Sequence, residues 1–376
     1  MMHSLIFNAV DSWCFREARP MGSTGGTAIK SVFPPPSATL IGAARTMIGN
    51  ALDVDWQAFA KDKQHPVRQL IGDSENTGAL AFGYPRIEVL VEGAFQPLFP
   101  APMHLVSTQE KVYALQFTDE LIQCDLGNVQ LPNLTSDAIG AKPVEGMFIT
   151  EASMAKLKQG DLIDVEELID LNELVASETR LGIARDNHSA KVIEGMLYQT
   201  EHLRINSERF EEWRLSLPVS GLPDGLHSRQ YIRLGGEGRM AQVAIEPRMP
   251  ESSPTFEQTE QALLMLTSHA DFGGIMPTGF ASSQNQNGQT VWRGKFEQID
   301  VEISSICASK PVKQGGWDVL KRQPKPVRPL TPAGTVYMLQ CEHMQSLAEW
   351  LVTNQLGNQT DFGMGHAMLL PVTSKG

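Results

Sequence analysis

Arginine and lysine side chains are the groups in this chain whose type and spacing could do chemistry. Arg16, Arg19 and Lys30 precede the segment Phe33-Pro34-Pro35-Pro36, and Arg45 follows it. Three consecutive prolines fix φ and lack backbone donors, so this segment is predicted to run extended. A guanidinium group donates paired N–H bonds to a phosphate. The N-terminal region therefore suits contact with a phosphate backbone, although a purely structural hinge accounts for the prolines equally well.

Three more candidate arginines occur in the middle of the chain. Arg180 and Arg185 flank a glycine in the segment 179–186, and Arg204 lies in the strand predicted over Gly195–Ile205. A phosphate contact and a surface ion pair, such as one between Arg185 and Asp186, remain open alternatives for this segment.

Two glycine-rich loops accompany these arginines. Gly235-Gly236-Glu237-Gly238 precedes Arg239 and lies between two predicted strands, which favours a hairpin turn over a phosphate-binding loop. Gly363 and Gly365 lie between a predicted helix and the last predicted strand. They could let a backbone approach a ligand closely, or they could form a tight connection after a helix end.

The sequence contains no convincing catalytic constellation. His188, His202 and His366 lie near the basic loops, where a histidine could activate a 2′-hydroxyl for metal-independent RNA cleavage. They follow no H-E-x-x-H spacing, and the chain has neither G-x-S-x-G nor a Cys/His ligand set. We therefore expect no catalytic residue, no metal and no cofactor.

Composition narrows the class of protein. The chain has 376 residues with a net charge of −12, and its four cysteines are widely spaced without C-x-x-C. Together with the lack of a long apolar run and of a secretory signal, this pattern favours a cytoplasmic protein without a membrane span. The charge is polarised: residues 142–178 hold nine acids and three bases, whereas residues 308–334 hold six bases and one acid. Solvated surface charge accounts for such runs as well as a nucleic-acid partner does.

The predicted elements place these side chains in two α+β halves. Apolar spacing predicts strands at Leu5–Val10, Arg86–Val91, Tyr231–Leu234, Met240–Ile245, Val336–Leu339 and Ala367–Val372. It also predicts helices at about 37–52, 162–174, 253–273 and 345–356. The order of elements favours two tandem ferredoxin-like (RRM-like) domains with long loop insertions, over 1–178 and 179–376.

Several short segments, taken in order, resemble one known family. They are Trp13-Cys14-Phe15-Arg16 with Arg19-Pro20, Phe33-Pro34-Pro35-Pro36 leading to Leu40–Thr46, Arg180–Asp186, Glu194–Tyr198 with His202–Arg204, Leu234–Arg239, Pro332–Tyr337 and the glycines 363 and 365. Their combination is similar to Cmr subunit three, the RAMP-superfamily protein of type III-B CRISPR effector complexes. Where the family usually has aspartate-glycine before Arg19, this chain has Glu17-Ala18.

The resemblance implies a subunit of a ribonucleoprotein that provides antiviral defence. It implies binding of the 5′ repeat-derived handle of the crRNA, with the large polymerase-like Cmr subunit and the backbone Cmr subunits as partners. No RNP-type aromatic pair stands out, so we expect binding through loops and arginines. The predicted RNA-binding residues are Arg16, Arg19, Lys30, Arg45, Arg180, Arg185, Arg204, Arg239, Gly363 and Gly365.

Two alternatives remain at this level. The chain could be a metal-independent endoribonuclease of the same superfamily that processes precursor crRNA with His188, His202 or His366. It could also be a protein-only scaffold whose arginines pair with acidic partners. In the main interpretation the acidic segment 142–178 faces away from the RNA.

Overall fold

The computed structural model describes residues 2–18, 28–186, 188–189, 191–249, 255–256, 259–318 and 323–372. It is a mixed α and β protein, rich in strands with few helices. The chain divides into two compact units that interleave along the sequence. Unit 1 comprises Met1–Phe95, Leu171–Met249 and Lys313–Arg328, and unit 2 comprises Gln96–Asp170, Pro250–Val312 and Pro329–Gly376.

The interleaving follows from long-range strand pairing. Met2–Ala9 pairs on one side with Trp213–Ser220 and on the other with Met240–Pro247, so the first strand of the first predicted half forms one sheet with two strands of the second predicted half. The sequence predicted a single division between residues 178 and 179 instead. Local patterns show where strands occur, but they carry no information about which strands pair across some 200 residues.

Unit 1 is built on a seven-stranded antiparallel sheet in its described residues. From edge to edge its strands are Arg229–Arg233, Met240–Pro247, Met2–Ala9, Trp213–Ser220, Arg86–Val91 and Ala94–Pro97, with Ala81–Phe82 also paired to Trp213–Ser220. The helix Ser37–Ala51 buries Leu40, Ile41 and Ala44, and the adjacent sheet buries Leu5 and Phe7. Unit 1 also has the helices Trp56–Lys61 and Arg68–Ile71 and the 3-10 turn Leu171–Glu173.

A long hairpin extends from unit 1. Its strands are Val175–Arg185 and Val192–Ile205, which pair antiparallel from Val175–Ile205 to Arg185–Val192. Ala28–Ile29 adds a short parallel strand to it, and Trp317–Asp318 pairs with Gln323–Pro324 elsewhere in the unit. We call the first two strands the long hairpin.

Unit 2 is built on a six-stranded sheet. Its strands follow the order Ala281–Gln284, Thr290–Phe296, Ile299–Cys307, Val336–Gln340, Gln261–Leu266 and Ala367–Leu370. Smaller groups of strands are Gln116–Cys124 with Gly127–Asn133, Lys142–Pro143 with Leu105–Ser107 and Val112–Ala114, and Ile169–Asp170 with Met147–Ile149 and Phe99–Pro100. The helices are Glu151–Lys158 and Met344–Thr353, with 3-10 turns at Val165–Glu167 and Thr360–Phe362. Short strands Val312–Gln314 and Arg328–Leu330 span the points where the chain passes between units.

Most predicted elements are confirmed, and two predicted helices are wrong. Residues 162–174 form two 3-10 turns and the strand Ile169–Asp170, because Asp164 and Glu167 close a one-turn capping box and the next residues pair with a strand. Within 253–273 the apolar run forms the strand Gln261–Leu266. This strand has neighbours on both edges and is buried on both faces, and such runs lack the alternation that distinguishes strands from helices. Ser253 and Pro254 lie outside the described residues.

Helix Ser37–Ala51 begins where the sequence predicts, but without the predicted serine or threonine cap. Pro36 occupies the N-cap position, and no side chain accepts from the first turn. The Phe33–Pro34 bond is cis. Among the described residues, no helix is long and apolar enough to cross a membrane.

Candidate nucleic-acid interface

The loop after the first strand packs against the long hairpin in unit 1. The backbone N–H of Trp13 donates to Leu203 O at 2.9 Å, and Leu203 N–H donates back at 2.8 Å. The Trp13 ring lies 6.4 Å from Phe33 and 5.7 Å from Trp213, centroid to centroid. Phe33 therefore anchors the proline segment in a buried aromatic cluster, and the proline segment has a structural role.

The glycine turn before Arg239 approaches this loop closely. Gly236 N–H donates to Cys14 O at 2.7 Å, and a Cβ at Gly235, whose φ is +81°, would lie 2.5 Å from the same oxygen. Only glycine allows this backbone contact. The predicted hairpin turn between Arg229–Arg233 and Met240–Pro247 is confirmed, and it brings Arg239 to the loop that carries Asp11.

Three of the predicted arginines meet around two carboxylates. Asp11 Oδ2 lies 3.0 Å from Arg239 Nη1 and 3.4 Å from Arg180 Nη2. Glu178 lies 2.6 Å from Arg180 Nε and 3.2 Å from Arg204 Nη1. We call these five residues the arginine network. It joins four segments that are distant in the sequence, and it carries one net positive charge.

The arginines of the network keep its two carboxylates ionised at neutral pH. Desolvation raises the pKa of Asp11, but Arg180 and Arg239 more than compensate and hold it below its ordinary value. The hydrogen bond from Arg180 lowers the pKa of Glu178. Both carboxylates are therefore ionised. Each guanidinium has five N–H donors, so sharing two carboxylates leaves donors for a further anion.

His202 lies beside the network but inside the fold. Its Nδ1 is 3.4 Å from Ser12 Oγ and its Nε2 is 3.2 Å from Thr200 Oγ1, and the residue is 2 % exposed. Burial lowers its pKa, with Arg180 and Arg239 adding to the effect. The imidazole is therefore a buried, neutral hydrogen-bonding group.

The other two candidate histidines are separate from His202. His188 is exposed at the turn of the long hairpin, beyond the strand end at Val192, which itself lies about 33 Å along the strand from His202 at ~3.3 Å per residue. His366 belongs to unit 2 and is partly buried, and its N–H donates to Ser268 Oγ at 3.0 Å. The described residues contain no group of three His, Cys, Asp or Glu side chains placed to hold a metal ion.

Arg16 and Lys30 are exposed on neighbouring backbone segments near the glycine turn. Arg16 pairs with Ser31, and Glu17 N–H donates to Lys30 O at 3.0 Å. A Cβ at Gly236 would lie 3.6 Å from Arg16 Cγ, so the Arg16 stem runs beside the turn.

Arg185 is not part of this group. Arg19 lies outside the described residues. Arg185 is exposed at the far end of the long hairpin, five residues along the strand from Arg180.

Arg45 is mostly buried on the helix Ser37–Ala51. Burial lowers its pKa to about 10, opposed by Asp73, and its Nε is buried without a hydrogen-bond partner. It remains charged at neutral pH, and its Nε is shielded from any bound phosphate.

Gly363 and Gly365 lie in unit 2, and their N–H groups are used inside the chain. Gly363 donates to Thr360 O and Gly365 donates to His269 O, each at 2.9 Å. Both have positive φ, and a Cβ at Gly365 would lie 1.9 Å from Leu356 O. These contacts explain the glycines by close internal packing, the second of the two predicted alternatives.

Sequence reasoning missed the two carboxylates that organise the network. Glu178 and Arg180 are two residues apart on one strand, so they share a face, and this spacing could have indicated their pairing. Nothing in the sequence around Asp11 shows that it meets Arg180 and Arg239, because both contacts depend on tertiary structure.

Comparison with known proteins identifies the family. The model of the family described as CRISPR-associated protein (Cas_Cmr3) matches residues 5–372. A chain in a cryo-EM structure of the type III-B Cmr-beta bound to cognate target RNA and AMPPnP, state 1, is 14 % identical, with 96 % of this chain and 91 % of that chain covered and a TM-score of 0.47. A chain in the structure of the type III-B Cmr-beta bound to cognate target RNA is also 14 % identical, with 89 % and 86 % covered and a TM-score of 0.46. No curated protein matches the chain. Because the family model spans nearly the whole sequence, the chain belongs to the CRISPR-associated Cas_Cmr3 family.

Proposed function

We propose that this chain is the crRNA-binding subunit of a type III-B (Cmr) CRISPR interference complex. It holds the 5′ repeat-derived handle of the crRNA and docks the large polymerase-like subunit and the backbone subunits. The observation that carries the proposal is the arginine network, in which Arg180, Arg204 and Arg239 converge from separate segments beside the exposed Arg16 and Lys30. Family membership supports it.

The network suits contact with the phosphates of an RNA backbone. Asp11 and Glu178 hold three guanidinium groups in fixed orientations without neutralising them, and all three remain partly exposed, with Arg204 the most accessible at 60 %. Preorganised guanidinium forks bind phosphate oxygens through paired N–H donors. RNA binding then needs little reordering of side chains.

We also propose that both units are ferredoxin-like. In unit 1 the four core strands follow the spatial order Met240–Pro247, Met2–Ala9, Trp213–Ser220, Arg86–Val91; in unit 2 they follow the order Ala367–Leu370, Gln261–Leu266, Val336–Gln340, Ile299–Cys307. Each is the order fourth, first, third, second of a β-α-β-β-α-β chain. Unit 1 has the first connecting helix, Ser37–Ala51, and unit 2 has the second, Met344–Thr353.

The role is non-catalytic in this proposal. Cleavage would need an accessible acid or base beside the bound phosphate, whereas His202, the histidine nearest the network, is buried between Ser12 and Thr200. Glu178, the last residue of the acidic segment 142–178, lies in the arginine network; in this proposal the rest of the segment faces away from the RNA, toward solvent or a protein partner.

RNA binding measured across salt concentrations tests the proposal. Purified full-length chain is incubated in EDTA with handle-bearing or scrambled RNA, and affinity and cleavage are recorded. We expect preferential binding of handle RNA without cleavage. We also expect a salt slope that falls by about 2 when Arg180, Arg204 and Arg239 are changed to Gln, from about 0.7 per lost phosphate contact. Arg293→Gln is the matched control, because Arg293 is also exposed and paired with a glutamate, Glu302, but lies in unit 2.

Two further variants, for which we expect RNA affinity to rise and not to fall, extend the test. Asp11→Asn and Glu178→Gln remove the competing charges but keep side-chain size, so RNA affinity should rise. If affinity falls instead, the orientation that the carboxylates give to the arginines outweighs the negative charge that they add, and the expectation that these charges compete with RNA is wrong. Cleavage that His202→Ala or His188→Ala abolishes would establish the endoribonuclease alternative, and binding without a salt slope would support the protein-only scaffold.

A further inference from the structure

The edge strand Arg229–Arg233 of the unit 1 sheet presents an alternating pattern of charge and aromatic surface. Arg229, Tyr231 and Arg233 are exposed, whereas Ile232 is buried. Tyr231 is 64 % exposed, a high value for an aromatic side chain. Because side chains alternate along a strand, the three exposed residues share one face. We call them the arginine–tyrosine stripe.

The stripe is ordered by its neighbouring strand. Tyr231 is directly opposite Gln242, whose Nε2 donates to the Tyr231 hydroxyl at 3.1 Å, and Gln242 is in turn opposite Asn8. This contact holds the edge of the ring and leaves a large part of the side chain accessible. The arginines lie about 6.6 Å along the strand on either side of the tyrosine, at 3.3 Å per residue.

The two arginines differ from those of the arginine network in their partners. Within the described part of the chain, no carboxylate lies within ion-pair distance of Arg229 or Arg233, whereas Arg180, Arg204 and Arg239 each pair with Asp11 or Glu178. The stripe therefore combines two uncompensated cations with an exposed aromatic ring. This is the combination with which proteins bind single-stranded nucleic acid.

We propose that the arginine–tyrosine stripe is a second contact site for single-stranded RNA. A base stacks on the Tyr231 ring, Arg229 and Arg233 contact the phosphates on either side of it, and the Gln242 and Asn8 amides lie within the same row of side chains. The site rests on the proposed function in that the chain binds RNA, but it shares no residue with the arginine network. The glycine turn 234–239 connects Arg233 to Arg239, so one strand of RNA can follow the chain from the network onto the stripe.

A stacking site makes specific predictions for the tyrosine. The probe is a fluorescently labelled single-stranded RNA of mixed sequence, bound to the full-length chain and followed by polarisation. Tyr231→Ala should weaken binding about 5- to 150-fold, the range found when a stacking aromatic is removed. Tyr231→Phe keeps the ring and should retain most of the affinity, and Trp317→Ala is the control for loss of an exposed aromatic elsewhere in unit 1.

The arginines are tested by salt dependence. Arg229→Gln with Arg233→Gln should reduce the salt slope by about 1.4, from about 0.7 per single-strand contact. Ultraviolet cross-linking followed by mass spectrometry should place a cross-link at Tyr231. All of these side chains are exposed, so an unchanged thermal midpoint should confirm that the variants fold.

The outcomes separate this proposal from the proposed function. If the network variants weaken RNA binding and the stripe variants do not, the chain binds RNA and the stripe does not take part. If neither set affects binding, or the chain does not bind RNA, both proposals fail. If the stripe variants leave RNA affinity unchanged but prevent assembly with other subunits, the stripe binds protein, and the proposal is overturned in favour of that partner.

Discussion

Replacing Gly235 by alanine tests whether the contact between the glycine turn and Cys14 positions Arg239. Gly235 has φ +81°, and an added Cβ would lie 2.5 Å from Cys14 O. Adopting a left-handed conformation costs a non-glycine residue about 1–2 kcal/mol. Relieving the overlap costs a further ~1–3 kcal/mol, so the free energy of unfolding should fall by about 2–5 kcal/mol.

Gly238 is a matched control in the same turn. Its φ is +66°, but nothing lies within 4 Å of the position of an added Cβ. Gly238→Ala should therefore cost only the backbone component, about 1–2 kcal/mol. The two variants differ in steric overlap and not in the type of substitution.

Urea unfolding followed by tryptophan fluorescence measures both variants, and RNA binding is measured on the same samples. Gly235→Ala should lose more stability than Gly238→Ala, and it should also weaken RNA binding, because Arg239 would move away from Asp11. Equal losses of stability in the two variants would refute the steric reasoning. A large loss of stability with unchanged RNA affinity would show that the position of Arg239 does not matter for binding.

Two further predictions concern buried polar groups. Glu88→Ala should lower the free energy of unfolding by about 3 kcal/mol in urea titrations. The buried Glu88 carboxylate accepts hydrogen bonds from Arg214 Nε at 2.8 Å and from Ser216 Oγ at 2.5 Å, and both would be lost. A loss of stability below about 1 kcal/mol would show that Glu246 alone satisfies Arg214. Burial lowers the pKa of His104 to about 4, below the ordinary value of 6.5. The unfolded chain therefore binds this proton more readily than the folded chain does. The free energy of unfolding should fall by about 3 kcal/mol for this group as the pH drops from about 6.5 to 4. His104→Leu should make that acid limb shallower when unfolding midpoints are compared at pH 7 and 4.5, and an identical pH dependence would contradict the assignment.

Several elements could be predicted because their information is local. The first strand, the helix after the prolines, the strands beside the glycine turn and the helix near residue 345 each show a clear apolar period or a terminal glycine. The segments 162–174 and 261–266 could not be assigned in this way. In the first, a one-turn cap and strand pairing prevail over helical spacing, and in the second, burial on both faces removes the alternation of a strand.

The candidate site likewise has features that the local sequence predicts and features that depend on tertiary contacts. The sequence indicated the candidate arginines and the glycine turn. It did not indicate the burial of Arg45 or the internal hydrogen bonds of Gly363 and Gly365. The stripe of Arg229, Tyr231 and Arg233 was present as an alternating pattern, but its position on a sheet edge gives that pattern its meaning. Exposure depends on what packs against a residue, and the packing partners come from distant segments.

By itself the sequence determined that this is a mixed α and β chain, rich in arginines near glycine and proline turns and without a recognisable catalytic motif. Tertiary structure alone decided that Arg180, Arg204 and Arg239 meet at Asp11 and Glu178. Three pairings bring those segments together: the long hairpin pairs its own two strands, Trp13 pairs with Leu203 of that hairpin, and residues 2–9 pair with residues 240–247. The physical reason is that side-chain type and backbone preference act over a few residues, whereas electrostatic contact requires proximity in space that only long-range pairing provides.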